Sequence, residues 1–357
     1  MKIAVLPGDD IGPEITDAAL GVLEAVDVMF GLGLEYEMHE VGIALHRKIG
    51  TTITPEIVAA AKRADGILLG PAGMTAYPPL SDGGINIPGT IRRQLDLFAN
   101  LRPARSRPGV PKAHPGVDCL IVRENTEGFY ADRTMFQGNG EFMPTPDLAI
   151  AVRKITAQAS RRIAKVAFDM AKGRRSDVTS VGKQHVLQLS DGLFMREVEA
   201  EAALNPGVAY RELDVDAMAA DIYLNPARFD VILTTNMFGD ILSNLVVALS
   251  GGLGLAGALN VGTEHAAANA GHGSAPDIAG QGIANPTGII LSSALLLRWL
   301  GSRHNRPEYS LAAAAIENSL DVCLGNAASR TGDLGGSGTT KIVGAKVCEN
   351  LREKAAA

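Results

Sequence analysis

At 357 residues the chain is long enough for two modest domains, each with a buried core. Apolar residues make up 46% and charged residues 20%, the balance of an ordinary globular protein. A net charge of −6 with no basic patch argues against a nucleic-acid partner, and no apolar run reaches the length of a membrane span.

The N-terminus, MKIAVLPGDD, reads as a strand (2–6) entering a turn (7–13) rather than as a signal peptide, so a cytoplasmic location is the expectation. Residues 14–28 have helical periodicity, and 34–41 form a second strand. A helix follows over 54–63, with Thr54 as its cap and Pro55 at its first position. The run GILLG (66–70) reads as a buried strand of the parallel type. This alternation of strand and helix predicts an α/β layer structure.

Residues 71–88, rich in Gly, Pro, Ser and Asp, read as a loop, followed by a helix over 89–98 that NLRP (100–103) leaves. A buried strand follows at 117–123. The stretch 132–146 is long, polar and rich in Gly and Pro, with Phe136, Phe142 and Met143 interleaved. Irregular loops of that length inside a compact domain are usually functional, and a subunit-clasping arm is the preferred reading. A long amphipathic helix is expected over 148–172, then a strand (177–181), a helix (190–203), a strand (210–215) and a helix (216–223).

Next comes FDVILTTNMFGDILSNLVVALSGG (229–252), a buried strand (230–234), a polar turn and a helix stopped by paired glycines. Asp240 and Asn244 are four residues apart, which puts both side-chain oxygens on one face of that helix. Oxygen ligands so placed suit Mg²⁺ or Mn²⁺. A plainer reading makes Asp240 a helix cap. Beyond it the chain is rich in Gly and Ala to 282, then helical at 286–299 and 310–325, with a Gly-rich loop (330–340) and a last helix. Gly252, Gly254 and Gly257 match GxGxxG, but they follow a helix and no βαβ unit brackets them, so they read as helix termination and close packing. Cys119, Cys323 and Cys348 are scattered and support neither a disulfide framework nor a zinc site.

Arg92, Arg102 and Arg123 stand where a polyanionic acid can be clamped, since guanidinium forks bond carboxylates bidentately and stay charged. Arg123 ends an apolar run, which sets it apart from ordinary solvated arginines. In order along the chain, IAVLPGDDIGPEI, LDLFANLRP, RENTEGFY, VGKQHVLQLSDGLF, FDVILTTNMFGDILSN and HGSAPDIAGQGIANP resemble the β-decarboxylating dehydrogenases of 3-substituted malates, the isocitrate/isopropylmalate dehydrogenase family.

The resemblance implies a three-layer α/β sandwich that is not a Rossmann fold and has two domains. The large one would be 1–100 plus 253–357. The central one, 101–252, would carry the dimer interface and the arm. It implies a homodimer with shared active sites and a small polycarboxylate substrate. Arg92, Arg102 and Arg123 would hold carboxylates, and Asn86 would offer a hydrogen bond to the substrate's C3 substituent. Tyr130 would protonate the enol carbon, and Lys183 from the partner would assist removal of the hydroxyl proton. Asp216, also from the partner, and Asp240 would bind Mg²⁺ or Mn²⁺, with Asn244 nearby. His272, Gly273, Ser274, Ala275, Pro276, Asp277, Ile278 and Asn285 would cradle the adenosine half of NAD. The Asp277 carboxylate suits a free 2′-hydroxyl and repels a 2′-phosphate.

The chain departs from the family pattern at several places. Asp10 stands in place of a glycine in the first turn, Gln184 and His185 follow the lysine, and Asn244 replaces an aspartate. Residues 85–89 (INIPG) match neither the isopropylmalate nor the isocitrate pattern. The substrate therefore stays open among isopropylmalate, isocitrate, homoisocitrate, tartrate and D-malate. A non-catalytic subunit on the same fold is the alternative from another class.

Overall fold

The computed structural model describes residues 1–130, 135, 137–138 and 140–356. Its centre is one mixed sheet of ten strands. In chain order these are β1 (Lys2–Leu6), β2 (Glu35–Met38), β3 (Gly66–Leu69), β4 (Ala99–Arg105), β5 (Asp118–Glu124), β8 (Asp177–Gly182), β9 (Ala209–Asp214), β10 (Val231–Thr234), β11 (Gly257–Val261) and β12 (Ala266–Ala270). A separate hairpin pairs β6 (Glu141–Thr145) with β7 (Leu148–Ala151). The spatial order across the sheet is β2-β1-β3-β12-β11-β4-β5-β10-β8-β9. Both flanks are parallel, and the antiparallel strands β11 and β4 join them.

Helices cover both faces because strand side chains alternate. Ile3 and Val5 of β1 enter one long core with α1 (Gly12–Phe30), α5 (Ala157–Lys172), α6 (Ser190–Leu204), α9 (Thr287–His304), α10 (Pro307–Gly325) and α11 (Thr340–Ala356). Ala4 and Leu6 face the opposite way, toward α3 (Pro55–Arg63) and α4 (Ile87–Gln94). On that same side α7 (Val215–Leu224) and α8 (Asn236–Leu249) pack over Ile121, Ile232 and Val181. The expected three-layer sandwich is present.

Several expected elements differ. The helix expected from 148 starts at Ala157, because Thr156 Oγ1 accepts from the Ala159 N–H at 3.2 Å and caps it there. Residues 148–151 instead return the arm, which is a hairpin with both strands exposed. Residues 132–134, 136 and 139 of the expected arm lie outside the described residues. The helix expected over 89–98 runs from Ile87 to Gln94, since Asn86 Oδ1 accepts from the Gly89 N–H at 2.8 Å and Pro88 sits in the first turn. The chain then leaves it for β4, which crosses the boundary expected at residue 100. The Gly/Ala-rich stretch holds β11 and β12 in mid-sheet, and a short helix α2 (Ile43–Ile49) follows β2.

Candidate active site

β4 and β5 run antiparallel with Asn100 opposite Arg123. Arg102 lies two residues from Asn100, so it shares a face with Arg123 as its diagonal neighbour. The helix above them is α8, and Gly239 lets it come close. A Cβ there would sit 2.6 Å from Arg123 Cγ, so any larger residue would collide with the arginine stem. Arg123 spends Nε and Nη2 on Asn236 Oδ1, at 3.0 and 2.7 Å, and its Nη1 donates to Asp240 Oδ1. Arg102 donates from Nε to Asn100 Oδ1 at 3.0 Å, and from Nη1 to Ser243 Oγ at 2.8 Å and Asp240 Oδ1 at 3.2 Å.

Arg102 and Arg123 are 9% and 3% exposed. Burial pulls both below the ordinary arginine range, Arg123 to about 10, and the Arg102 charge adds to the effect on Arg123. Asp240 opposes the shift on each. Tyr130 lies close enough to act electrostatically on both arginines. Asp240 is therefore not a helix cap. It lies in the second turn of α8 and neutralises a pair of buried cations. Asn244, one turn on, is exposed, and Arg92 is half-buried on the last turn of α4.

Lys183 belongs to a second cluster. It follows β8, whose Gly182 pairs with Asp214 of β9, and Asp216 opens α7. Lys183 Nζ reaches Asp214 Oδ2 at 3.3 Å and pairs with Asp216 Oδ1. The bond from Lys183 holds the Asp216 carboxyl below its usual range, and that from Asp216 raises the lysine. The backbone N–H of Lys183 donates to buried Asp191 Oδ2 at 2.8 Å. His185 Nδ1 lies 2.8 Å from Asp214 Oδ2, and Gln184 donates to Glu212 at 2.9 Å, so both unusual residues serve the acidic strand β9. Among the described residues no hydrogen bond or ion pair links Lys183 or Asp216 to Arg102, Arg123 or Asp240. With β10 between them, β8 and β5 stand about 10 Å apart.

A cavity of about 790 Å³ forms the third part. Of the residues expected around a nucleotide, His272, Gly273, Ala275, Ile278 and Asn285 line it. Ser274 is buried beside it, with its carbonyl accepting from the Ile11 N–H at 3.2 Å, while Pro276 and Asp277 are exposed on the loop. Burial lowers the His272 pKa, and its Nε2 is buried with no hydrogen-bond partner among the described residues. Such an orphaned atom beside an open cavity fits a polar ligand. Asn285 Nδ2 donates to Asp333 Oδ2 at 3.0 Å. Gly254, the middle glycine of the GxGxxG match, also lines the cavity. A Cβ there would lie 2.5 Å from both Asn285 Nδ2 and Asp333 Oδ2, so the glycine serves close packing.

The first turn borders this region. Asp9 accepts from the N–H groups of Ile43 and Gly73, at 2.7 and 2.9 Å, and from the Tyr77 hydroxyl at 2.5 Å. Asp10 takes φ 53°, a left-handed conformation that suits glycine and that aspartate tolerates better than most residues. That accounts for its place where the family has glycine.

The oxygen donors Asp240, Asn244, Asp214 and Asp216 suit a hard cation in chemistry. Among the described residues of one chain, no three His, Cys, Asp or Glu side chains gather to hold one. The acids stay divided between the two clusters. Asn236, Ser243, Asp214, Asp191 and Asp333 were not singled out in the sequence. Only Asn236 and Ser243 carried a usable signal, being polar residues on the turns of α8 that flank Asp240.

The chain thus combines an α/β sandwich with a buried arginine pair, a separate Lys–Asp cluster and a cavity of about 790 Å³. The isocitrate/isopropylmalate dehydrogenase family profile matches residues 2–350, and the chain belongs to that family. It is 42% identical to an isocitrate/homoisocitrate dehydrogenase of Thermus thermophilus, over 98% of each chain. It is 40% identical to a 3-isopropylmalate dehydrogenase of Methanothermobacter thermautotrophicus, over 99% of each. A crystal structure of isocitrate dehydrogenase from Methylococcus capsulatus superposes with a TM-score of 0.87 at 35% identity, covering 98% of this chain and 99% of that one.

Proposed function

We propose that the chain is an NAD-dependent, divalent-cation-dependent enzyme that oxidises and decarboxylates a 3-substituted malate. The observation that carries this reading is the buried Arg102–Arg123 pair, held at one carboxylate with Tyr130 in electrostatic range. Burying two cations side by side is unfavourable unless anions meet them. Asp240 supplies one anion, and a dicarboxylate would supply more. The names of the relatives favour isopropylmalate, isocitrate or homoisocitrate as the acid.

In this reading Arg92, Arg102 and Arg123 hold the carboxylates. Asn86, its Oδ1 committed to the cap, keeps its amide N–H groups for the C3 substituent. Lys183 of the partner subunit assists loss of the C2 hydroxyl proton, and Tyr130 delivers a proton to C3 after CO₂ leaves. Asp240 and Asp216 of the partner subunit, with Asn244 alongside, would hold the cation. Bound Mg²⁺ or Mn²⁺ would stabilise the enolate charge as a Lewis acid, and NAD would accept the hydride. His272, Gly273, Ala275, Ile278 and Asn285 hold the adenosine, and Asp277 favours NAD over NADP.

Division of these groups between two clusters supports a homodimer with shared sites, and so does the exposed hairpin, where Phe142, Met143, Leu148 and Ile150 are all open to solvent. The division into residues 1–100 with 253–357, and 101–252, stays a proposal, its first boundary falling within β4. No described helix is long and apolar enough to cross a membrane, and a cytoplasmic location remains the proposal. An NADH-absorbance screen with Mg²⁺ or Mn²⁺ over isopropylmalate, isocitrate, homoisocitrate, tartrate and D-malate tests the reading. Absence of turnover on all of them would favour a non-catalytic subunit.

A further inference from the structure

We propose that Arg153 is a positioning residue that sets the Tyr130 turn and the Lys183 turn in one frame. It rests on the roles proposed above for those two residues. Arg153 lies between the arm and α5, in a stretch where helix was expected, and its side chain is only 9% exposed. One guanidinium touches three separate elements of one chain, whose Tyr130 and Lys183 serve the two different sites of the proposed dimer. Nη1 reaches Ser190 Oγ at 2.9 Å and Asp191 Oδ1 at 2.6 Å, at the start of α6. Nη2 donates to Thr235 Oγ1 at 3.2 Å, just before the helix that carries Asp240. The ring of Phe129, the neighbour of Tyr130, lies 5.9 Å from the guanidinium carbon, and that of Phe238 on α8 lies 5.3 Å away, both within cation–π range.

Asp191 passes the constraint on. It is fully buried, and while Oδ1 holds Arg153 its Oδ2 accepts from the backbone N–H of Lys183 at 2.8 Å. The Tyr130 side is pinned from its other edge too. Gly128 and Lys154 exchange backbone hydrogen bonds at 2.8 and 3.0 Å, and Glu127 accepts from Thr156 N and Oγ1 at 2.8 and 2.7 Å. Arg153 therefore sits where the Tyr130 turn, the Lys183 turn and the N-terminus of α8 meet. A fork that bonds two elements and lies against two rings has a geometry that an ammonium does not reproduce. None of these contacts needs Arg153 to touch the substrate.

The test uses the full-length enzyme on whichever acid it turns over. Arg153→Met leaves Asp191 buried without its counter-charge and risks unfolding. Arg153→Lys keeps the charge and loses the fork, so it carries the test. A displacement of reacting groups by about 1 Å costs about a hundredfold in rate. Arg153→Lys should fold and lose about tenfold to a hundredfold in kcat, with little change in KM, because the substrate-holding arginines lie on β4, β5 and α4. A folded Arg153→Lys enzyme with wild-type kcat overturns the inference. So does a loss carried by KM alone, or a lysine variant that does not fold, which would make Arg153 a purely structural residue. Absence of wild-type turnover on every acid would instead count against the catalytic roles of Tyr130 and Lys183.

Discussion

Arg123 and Asp240 hold each other: Nη1 of the buried arginine donates to Oδ1 of the aspartate, and Arg102 donates to that same oxygen. Asp240, itself partly exposed, thus keeps two buried like charges together. In the proposed reading an arriving carboxylate would meet donors already aimed and partly paired, their positioning cost met during folding.

Arg123→Lys should be a poor replacement. Lysine cannot bond Asn236 through two nitrogens while also reaching Asp240. Truncating one partner of a buried charge pair costs about 2–5 kcal/mol. We expect kcat/KM for the acid to fall by at least about a hundredfold, within that range, along with a lower Tm. Steady-state kinetics and thermal unfolding measure both, and an unchanged kcat/KM would remove Arg123 from the substrate clamp.

Asp277 sets cofactor choice in this account. It is exposed on the loop beside the cavity, where its carboxylate would meet a 2′-phosphate. NAD should have the higher kcat/KM, and Asp277→Ser should narrow the gap by roughly tenfold, about 1.4 kcal/mol. Equal efficiencies with NAD and NADP in the wild-type enzyme would contradict the assignment.

His272 predicts an acid-side loss of stability. Burial lowers its folded pKa below that of the unfolded chain, while the Gly273 carbonyl and the Asp333 charge partly offset the shift. Below about pH 6.5 the unfolded chain takes up a proton that the folded chain resists, so stability falls as pH falls. Thermal unfolding of wild type and His272→Gln from pH 7.5 to pH 5.5 isolates this group from the other histidines. The glutamine variant should lose less Tm across that range, and parallel curves would dismiss the effect.

Shared sites make a prediction for mixtures. Arg123→Ala and Lys183→Ala chains should each be nearly inactive. Exchanging subunits between them yields hybrids with one site that keeps both residues. Activity should return on mixing, and confirmed exchange without recovered activity would place Lys183 and Arg123 in the same chain's site.

Much of the architecture was legible because inner parallel strands such as β3 (GILL) and β10 (VILT) are apolar runs and helices carry clear starts, such as Thr54-Pro55. β11 and β12 escaped because GALNV holds a single β-branched residue, Val261, and AAANA none, and it is the sheet around them that makes them strands. The arm strand β7 was read as helix because its apolar residues run on toward α5, and only the Thr156 cap separates the two. Arg123 stood out by its charge at the end of an apolar run and Asp240 by its spacing from Asn244, whereas Tyr130, Lys183 and Asp216 came only through the resemblance to the family. Arg153 and Asp191 did not stand out, because burial and mutual contact distinguish them, and neither can be read from a polar residue in an amphipathic stretch.

The family chemistry requires oxidation and decarboxylation of one substrate to occur together. The most direct test is to measure NADH and CO₂ in the same reaction, on the acid the enzyme turns over, with Mn²⁺ present. One CO₂ for each NADH is the expected result. NADH formed without CO₂ would make this protein a plain hydroxyacid dehydrogenase and contradict the account.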